Sequence, residues 1–365
     1  MTTPPSVTPT PAAGPTRSDG PDSPNERHDT DPTPANSPLG VGLLARGSLG
    51  GALMGLANLV PGISGGTMLV ATGIYSRFIN AISDVTRLRL RPASIVLLGV
   101  VVVSAIVAIG ACAKPIAWAL TEFRWGMYSL FIGLTLGGAP LLIGMIRATA
   151  AGLGRAAVIG GLLGVAAMTG LVVLQSAGGA GTGGSSGSAL LFVGGVAGAS
   201  AMILPGVSGA YLLLLLGIYD TIIDAIKQFV EAGRAADVSA LTGQLSVVVP
   251  VGLGVVFGVV AVSNLLRFLL KRYEAATLGV LLGLLLAAPL GLYPFRQGVT
   301  PEAGDVIKGE TLTEQTAAEI DPKDWPQERF APGGLQIAGA IGLIGAGFVA
   351  TLGIARLGKD KPARS

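Results

Sequence analysis

The stretch GGALMGLANLVPGISGGTMLVATGIYSRFINAI, residues 50–82, returns 144 residues later as GGVAGASAMILPGVSGAYLLLLLGIYDTIIDAI, residues 194–226. The two align without a gap and are identical at 14 of 33 positions. Identities include Pro61/Pro205, Gly62/Gly206, Ser64/Ser208, Gly65/Gly209 and the Gly-Ile-Tyr runs 73–75 and 217–219. Helices rich in Gly, Ala and Leu match by chance at scattered positions, but not as Pro-Gly-x-Ser-Gly with Gly-Ile-Tyr at fixed spacing. The chain is internally duplicated. Three apolar segments follow each copy, and within the second of these GLTLGGAP (133–140) echoes GLLLAAP (283–289) with one gap.

Outside the duplicated motif the composition sets the solvent. Of 365 residues, 50% are hydrophobic and 12% charged, with a mean hydropathy of +0.67, whereas soluble domains carry about 25% charged residues. Apolar segments fall at 39–60, 63–82, 93–113, 126–146, 156–174, 189–204, 207–226, 246–268, 275–293 and 335–357. Runs near twenty residues match a hydrocarbon core of about 30 Å, so an all-α integral membrane protein is expected. The net charge of +3 calls for no nucleic-acid partner, because the basic residues sit in short loops between apolar runs. A single cysteine, Cys112, excludes an intrachain disulfide and a cysteine-cluster metal site. The single histidine, His28, lies in the N-terminal tail, which excludes a Ser-His-Asp triad or a His-ligated zinc centre in the membrane. Neither a cofactor nor a metal is expected.

The chain divides by composition. Residues 1–38 hold ten prolines among Thr, Ser and Asp, cannot bury enough apolar surface to offset chain entropy, and read as a disordered cytoplasmic tail. No apolar core follows a basic start there, as a signal peptide requires. The first membrane repeat covers 39–175, a Gly/Ser linker 176–188, the second repeat 189–357 and a basic cytoplasmic tail 358–365. Within the second repeat, 296–334 is a polar loop carrying Glu302, Asp305, Glu310, Glu314, Glu319, Asp321, Asp324 and Glu328.

Pro-Gly in the middle of each copy breaks the helix, and glycine permits the tight turn of a hairpin that re-enters the bilayer. If both copies re-enter, each repeat crosses three times and the repeats are inverted; if both cross, the repeats are parallel. Loop charge favours the first. Re-entry puts Arg87, Arg89 and Arg91, Arg147 and Arg155, Arg267, Lys271 and Arg272, and the tail with Arg356, Lys359, Lys361 and Arg364 on the cytoplasmic side. The Gly/Ser linker and the acidic loop then lie outside, as the positive-inside rule requires. The expected fold is an inverted repeat of about six transmembrane helices plus two re-entrant hairpins, 50–82 from the cytoplasm and 194–226 from outside.

Broken helices in inverted repeats mark a transporter with its substrate near the midplane. A half-helix begins after each Pro-Gly, and its N-terminus carries roughly +0.5 charge that attracts phosphate. Two such ends supply about +1, which suits a phosphate monoanion. Ser64, Thr67 and Ser208 can add hydroxyl donors and Asn58 an amide; copy two replaces Thr67 and Asn58 by Tyr211 and Met202. Equally, the serines can bond back to their own backbone and only shape the turn. Tyr75 and Tyr219 suit an interfacial belt. Arg77, Arg124, Arg267 and Arg272 could draw an anionic headgroup to the entrances or serve as snorkelled anchors. Gly133/Gly137 and Gly279/Gly283 have the spacing of helix packing. No ionisable residue stands out mid-span, Asp220 and Asp224 lying close to a helix end, so ion coupling is not visible.

PGISGGTM with GIYSRFI, and MILPGVSGAYLLLLLGIYD, resemble the PopT family of bacterial polyprenyl-phosphate transporters, over about residues 40–357. The resemblance implies movement of undecaprenyl phosphate, decaprenyl phosphate or a similar carrier from the outer to the inner leaflet of the bacterial plasma membrane, for reuse in cell-envelope synthesis. It also implies that Pro61, Gly62, Ser64, Gly65, Gly66 and Thr67, and Pro205, Gly206, Ser208 and Gly209, contact substrate. Ala210 and Tyr211 depart from the second small polar residue common in the family. The partners are then a polyprenyl phosphate and the bilayer, with a coupling cation, H+ or Na+, if transport is driven. A membrane polyprenyl-pyrophosphate phosphatase shares inverted re-entrant helices, but Gly65-Gly66 stand where it would want an arginine, and no buried glutamate pair is visible. A small-anion transporter or channel using the same helix ends is the other rival. A purely structural membrane protein gives no reason for duplicated broken helices.

Overall fold

A computed structural model describes residues 40–60, 63–176, 187–304, 306–307, 310–319 and 325–357. The N-terminal tail, most of the Gly/Ser linker, residues 358–365 and Pro61-Gly62 lie outside the described residues. All described residues belong to one unit, Ala35–Ser365.

The first copy of the motif folds as α1 (Val41–Asn58), α2 (Gly65–Ala71) and α3 (Tyr75–Thr86); the second as α8 (Ser188–Ile203), α9 (Gly209–Leu215) and α10 (Tyr219–Ala235). Each hairpin is therefore three helices, not two. The second break falls on Gly-Ile-Tyr. Gly73 and Gly217 take φ of +72° and +68°, a left-handed conformation that favours glycine. Gly73 N–H then donates to Val70 O and Ile74 N–H to Leu69 O, while Gly217 donates to Leu214 O and Ile218 to Leu213 O. This is a Schellman closure, with its apolar contact between the residue after the glycine and the helix it ends. Both Ile74 and Ile218 are buried. A side chain at Gly50 would run into Ile74 and Leu69, and one at Gly194 into Ile218 and Leu213. The Gly-Ile-Tyr break is thus closed in the same way in both copies.

The remaining helices are α4 (Pro92–Glu122), α5 (Arg124–Leu136), α6 (Ala139–Ala148), α7 (Arg155–Ser176), α11 (Val238–Arg272), α12 (Glu274–Ala287) and α14 (Gly334–Leu357). Among the described residues six stretches are long and apolar enough to span a bilayer: Pro92–Glu122, Arg124–Ala148, Arg155–Leu174, Val238–Arg272, Glu274–Gly291 and Gly334–Arg356. They expose Ile106, Val107, Leu162, Leu163, Val256, Phe257, Ile341 and Val349, a surface suited to lipid and not to water. The protein is an integral membrane protein. The second span breaks at Gly137-Gly138 and the fifth passes into a 3-10 turn at Ala288–Gly291, the places where GLTLGGAP and GLLLAAP align. Helix α11 begins well before its apolar segment, because Asp237 caps it by accepting from Ser239 N–H and Ala240 N–H.

Glycines fix which helices touch. Gly47, Gly51 and Gly55 lie against Leu97, Val101 and Ala105, numbers that rise together, so α1 runs parallel to α4. The chain therefore returns to the end where α1 starts before α4 begins. Gly195 and Gly258 join α8 to α11 through Val251 and Val196. The last helix of each half packs in the other half: α14 on α5 through Gly133/Ile344 and Gly347/Leu130, and α7 on α12 through Gly164/Val280 and Gly279/Ala157. The polar loop between α12 and α14 forms two antiparallel pairs, β1 (Arg296–Gly298) with β4 (Gln327–Arg329) and β2 (Val306–Ile307) with β3 (Glu310–Thr311), and a short helix α13 (Glu314–Glu319).

Candidate functional site

The two breaks meet. Ser64 and Ser208 occupy the position before α2 and α9 with nearly the same extended backbone, φ −96° and ψ 125° against φ −93° and ψ 127°. In that geometry a serine ordinarily caps the helix it precedes, yet neither makes a capping bond. Ser64 Oγ donates to Leu204 O of the other hairpin at 2.9 Å. Tyr75 OH donates to Ile203 O at 3.0 Å, and Gly206 N–H donates to Thr67 Oγ1 at 2.9 Å. The first hairpin thereby satisfies backbone groups that the break at Pro205-Gly206 releases from α8, as mid-membrane breaks require. Gly206 has φ +88°, and a Cβ there would meet the Leu284 backbone at 2.7 Å. Gly66 lies against the carbonyls of Met202 and Ile203.

Between the breaks lies a cavity of about 140 Å³, with Asn58, Ser64, Gly65, Ser208, Gly209 and Tyr219 among its walls. Leu59, Val60, Ile63, Met202 and Val207 supply its apolar side. Asn58 and Met202, alignment partners in the two copies, are both exposed at its rim. Among the described residues Ser208 Oγ has no hydrogen-bond partner, which leaves it as the hydroxyl available to an occupant.

Of the residues singled out in sequence, the structure brings Asn58, Ser64, Gly65, Ser208 and Gly209 onto one cavity. Gly66, Thr67 and Gly206 join hairpin to hairpin instead, and Pro205 is buried outside the wall. Pro61 and Gly62 lie outside the described residues. Tyr75 is a buried tie and not an interfacial residue. Helices α2 and α9 have seven residues each, shorter than the half-helices expected, because Gly73 and Gly217 end them. Helices this short carry little of the dipole that a longer half-helix would present.

The four arginines are dispersed, and none lines the cavity. Arg124 lies over the Tyr128 ring at 6.0 Å and Arg272 over Tyr273 at 5.6 Å. Arg77 is half-buried on α3. Arg267 pairs with Asp84 at 3.1 Å and also donates to Ser83. Asp84, which sequence reading missed, is buried and also takes Ser94 Oγ at 3.2 Å and Arg91 at 3.7 Å. Beside it, Asn264 accepts from Ser83 and Arg87. The network ties α3 to α11, and puts the C-terminal end of α11 beside the N-terminal end of α4, so those two helices run in opposite directions. The available signal was one carboxylate in the otherwise basic stretch SDVTRLRLR.

The described residues thus form a multi-pass helical membrane protein in which two broken helices of matching sequence meet at a small cavity. Residues 54–305, more than half of the chain and both motifs, match the family model described as VCA0040-like, undecaprenyl phosphate translocase-like. The chain belongs to this family. No curated protein and no solved structure matches it.

Proposed function

We propose that the protein translocates undecaprenyl phosphate or a closely related polyprenyl phosphate, and does not hydrolyse it. The observation that carries this is the cavity shared by the two matching breaks, in a family named for such translocation. Its volume of about 140 Å³ is well below the roughly 300–1,000 Å³ of pockets that engulf whole small molecules. It holds a headgroup and leaves a prenyl tail in the lipid beyond Asn58 and Met202. Ser208 Oγ, the Asn58 amide and the uncapped first N–H groups of α2 and α9 offer neutral donors, which suit a phosphate that must bind and leave.

The same reading makes the hairpins re-entrant and the repeats inverted. Parallel α1 and α4, opposed α4 and α11, and the reciprocal α5–α14 and α7–α12 pairs support it. Arg87, Arg91 and Arg272 then mark the cytoplasmic side of a bacterial plasma membrane, with both termini there, and the 296–334 loop faces outward. The direction of net movement is from outer to inner leaflet, for reuse of the carrier in envelope synthesis.

The test is leaflet exchange of a polyprenyl phosphate in proteoliposomes, with phosphate release from the pyrophosphate followed in parallel. Protein-dependent exchange that Ser208→Ala lowers at least tenfold, without phosphate release, is expected. Phosphate release without exchange would make the protein a phosphatase. Uptake of inorganic phosphate without lipid exchange would make it a small-anion transporter.

A further inference from the structure

The strands β1 and β4 set Arg296 directly opposite Arg329. Phe330 N–H donates to Phe295 O and Val299 N–H to Pro326 O, so the alternation of an antiparallel ladder puts 296/329 at a non-hydrogen-bonded position. Side chains stand closest there, and like charges in such a pair oppose folding. Among the described residues no carboxylate forms an ion pair with Arg296, Arg329 or Arg124. Arg296 Nε is buried with no hydrogen-bond partner, and so is Oε1 of Gln327, which the two-residue period of a strand places on the same face as Arg329.

The third arginine comes from the membrane bundle. Strand β1 packs against α5, and Arg124, the first residue of α5, lies over the Tyr128 ring at 6.0 Å. Arg329 lies over the Tyr293 ring at 5.3 Å. Leu292, next in the chain, is buried with Ala57, Val60 and Ile63 at the first break and with Phe131 of α5. Arg124 precedes Phe131 by nearly two helical turns, about 10 Å at 1.5 Å per residue. The arginines thus stand over the first break, at the end of the bundle away from the Asp84 network.

We propose that Arg124, Arg296 and Arg329 form a docking site for a phosphate monoester or inorganic phosphate, distinct from the tip cavity and placed where an anion would arrive before reaching it. Guanidinium groups bind phosphate oxygens bidentately. A phosphate relieves the 296/329 repulsion and accepts from Arg296 Nε, while its P–OH, or a water it carries, donates to Gln327 Oε1. Its role as a first station for a lipid headgroup rests on the function proposed above; its affinity for phosphate does not. Arg124 and Arg296 lie inside the region matched by the family and Arg329 beyond it.

The full-length protein, with Trp118 replaced by phenylalanine, is titrated in nanodiscs of zwitterionic lipid with inorganic phosphate, octyl phosphate and octanol, reading the emission of Trp125, next to Arg124, and Trp325, at the start of the segment that carries Arg329. A saturable change with either phosphate and none with octanol is expected. It should weaken at least tenfold in Arg296→Gln/Arg329→Gln, less in Arg296→Lys/Arg329→Lys, and persist in Ser208→Ala. Tighter binding of octyl phosphate supports a lipid headgroup as the occupant, and equal binding supports free phosphate. No response in the wild type, or equal affinity in the glutamine variant, overturns the site. Phosphate binding through the arginines with no leaflet exchange in the wild type would sink the translocase reading and leave the site standing.

Discussion

Ser64 and Ser208 occupy equivalent positions and do different work. Ser64 spends its proton on Leu204 O, so Ser64→Ala is expected to loosen the contact between hairpins, at about 1 kcal/mol for a lost hydrogen bond, and to lower thermal stability along with exchange. Ser208→Ala removes a hydroxyl that holds no described partner; it should reduce exchange at least tenfold while the melting midpoint in detergent stays within about 2 °C of wild type, given that a 1 kcal/mol change moves even a domain of 150–250 residues by only about 2–4 °C. Equal melting losses in both variants would contradict this division. Gly206→Ala forces an L side chain into φ +88° and against Leu284. Strain of roughly 1–3 kcal/mol should show as a lowered melting midpoint and poor recovery of folded protein. Both serines were legible in sequence because the repeat flagged them. Their asymmetry was not, since it depends on which carbonyls the partner hairpin leaves open.

At the level of elements, the Asp84–Arg267 pair fastens the first hairpin to the second half of the chain. Breaking a buried pair by removing one partner costs about 3–5 kcal/mol, while replacing both by apolar groups can be close to neutral. Asp84→Leu is therefore expected to destabilise more than Asp84→Leu/Arg267→Met, as measured by the fraction surviving a heat challenge on size-exclusion chromatography. The reverse ranking would show that Asp84 and Arg267 act independently. The glycine contacts make a second prediction. Gly164→Leu would drive a side chain into the α12 backbone at Val280 and Leu284, and should lower stability, whereas Gly170→Leu, where no atom lies within 4 Å of the added Cβ, should not. The spacing of Gly133/Gly137 and Gly279/Gly283 announced close helix packing, but not the partners. Those follow from an exchange of last helices between the halves, which no local pattern records. The Gly-Ile-Tyr break was missed as a break for a related reason. An apolar run continues through it, and only the left-handed φ of Gly73 and Gly217 ends the helix.

On the scale of the whole molecule, the helix directions make a topological prediction. With Cys112 replaced by alanine, a cysteine at Thr313 should react with an impermeant thiol reagent in intact cells, and one at Thr149 only after permeabilisation. Labelling of both from one side would overturn the inverted arrangement.

Composition alone fixed the solvent, because 12% charge and apolar runs near twenty residues leave most of this chain no stable home but a bilayer. The ungapped motif pair fixed the duplication and named the residues at the two breaks, since a mid-membrane Pro-Gly-x-Ser-Gly is costly and is retained twice. Tertiary structure alone decided which of those residues face a shared space and which are consumed holding the hairpins together. Donor and acceptor choices at a broken helix depend on what arrives from 140 residues away, as Ser64 and Leu204 do. It alone also set Arg296 against Arg329, because strand register across a thirty-residue loop is a matter of pairing in space and leaves no periodic trace in the sequence.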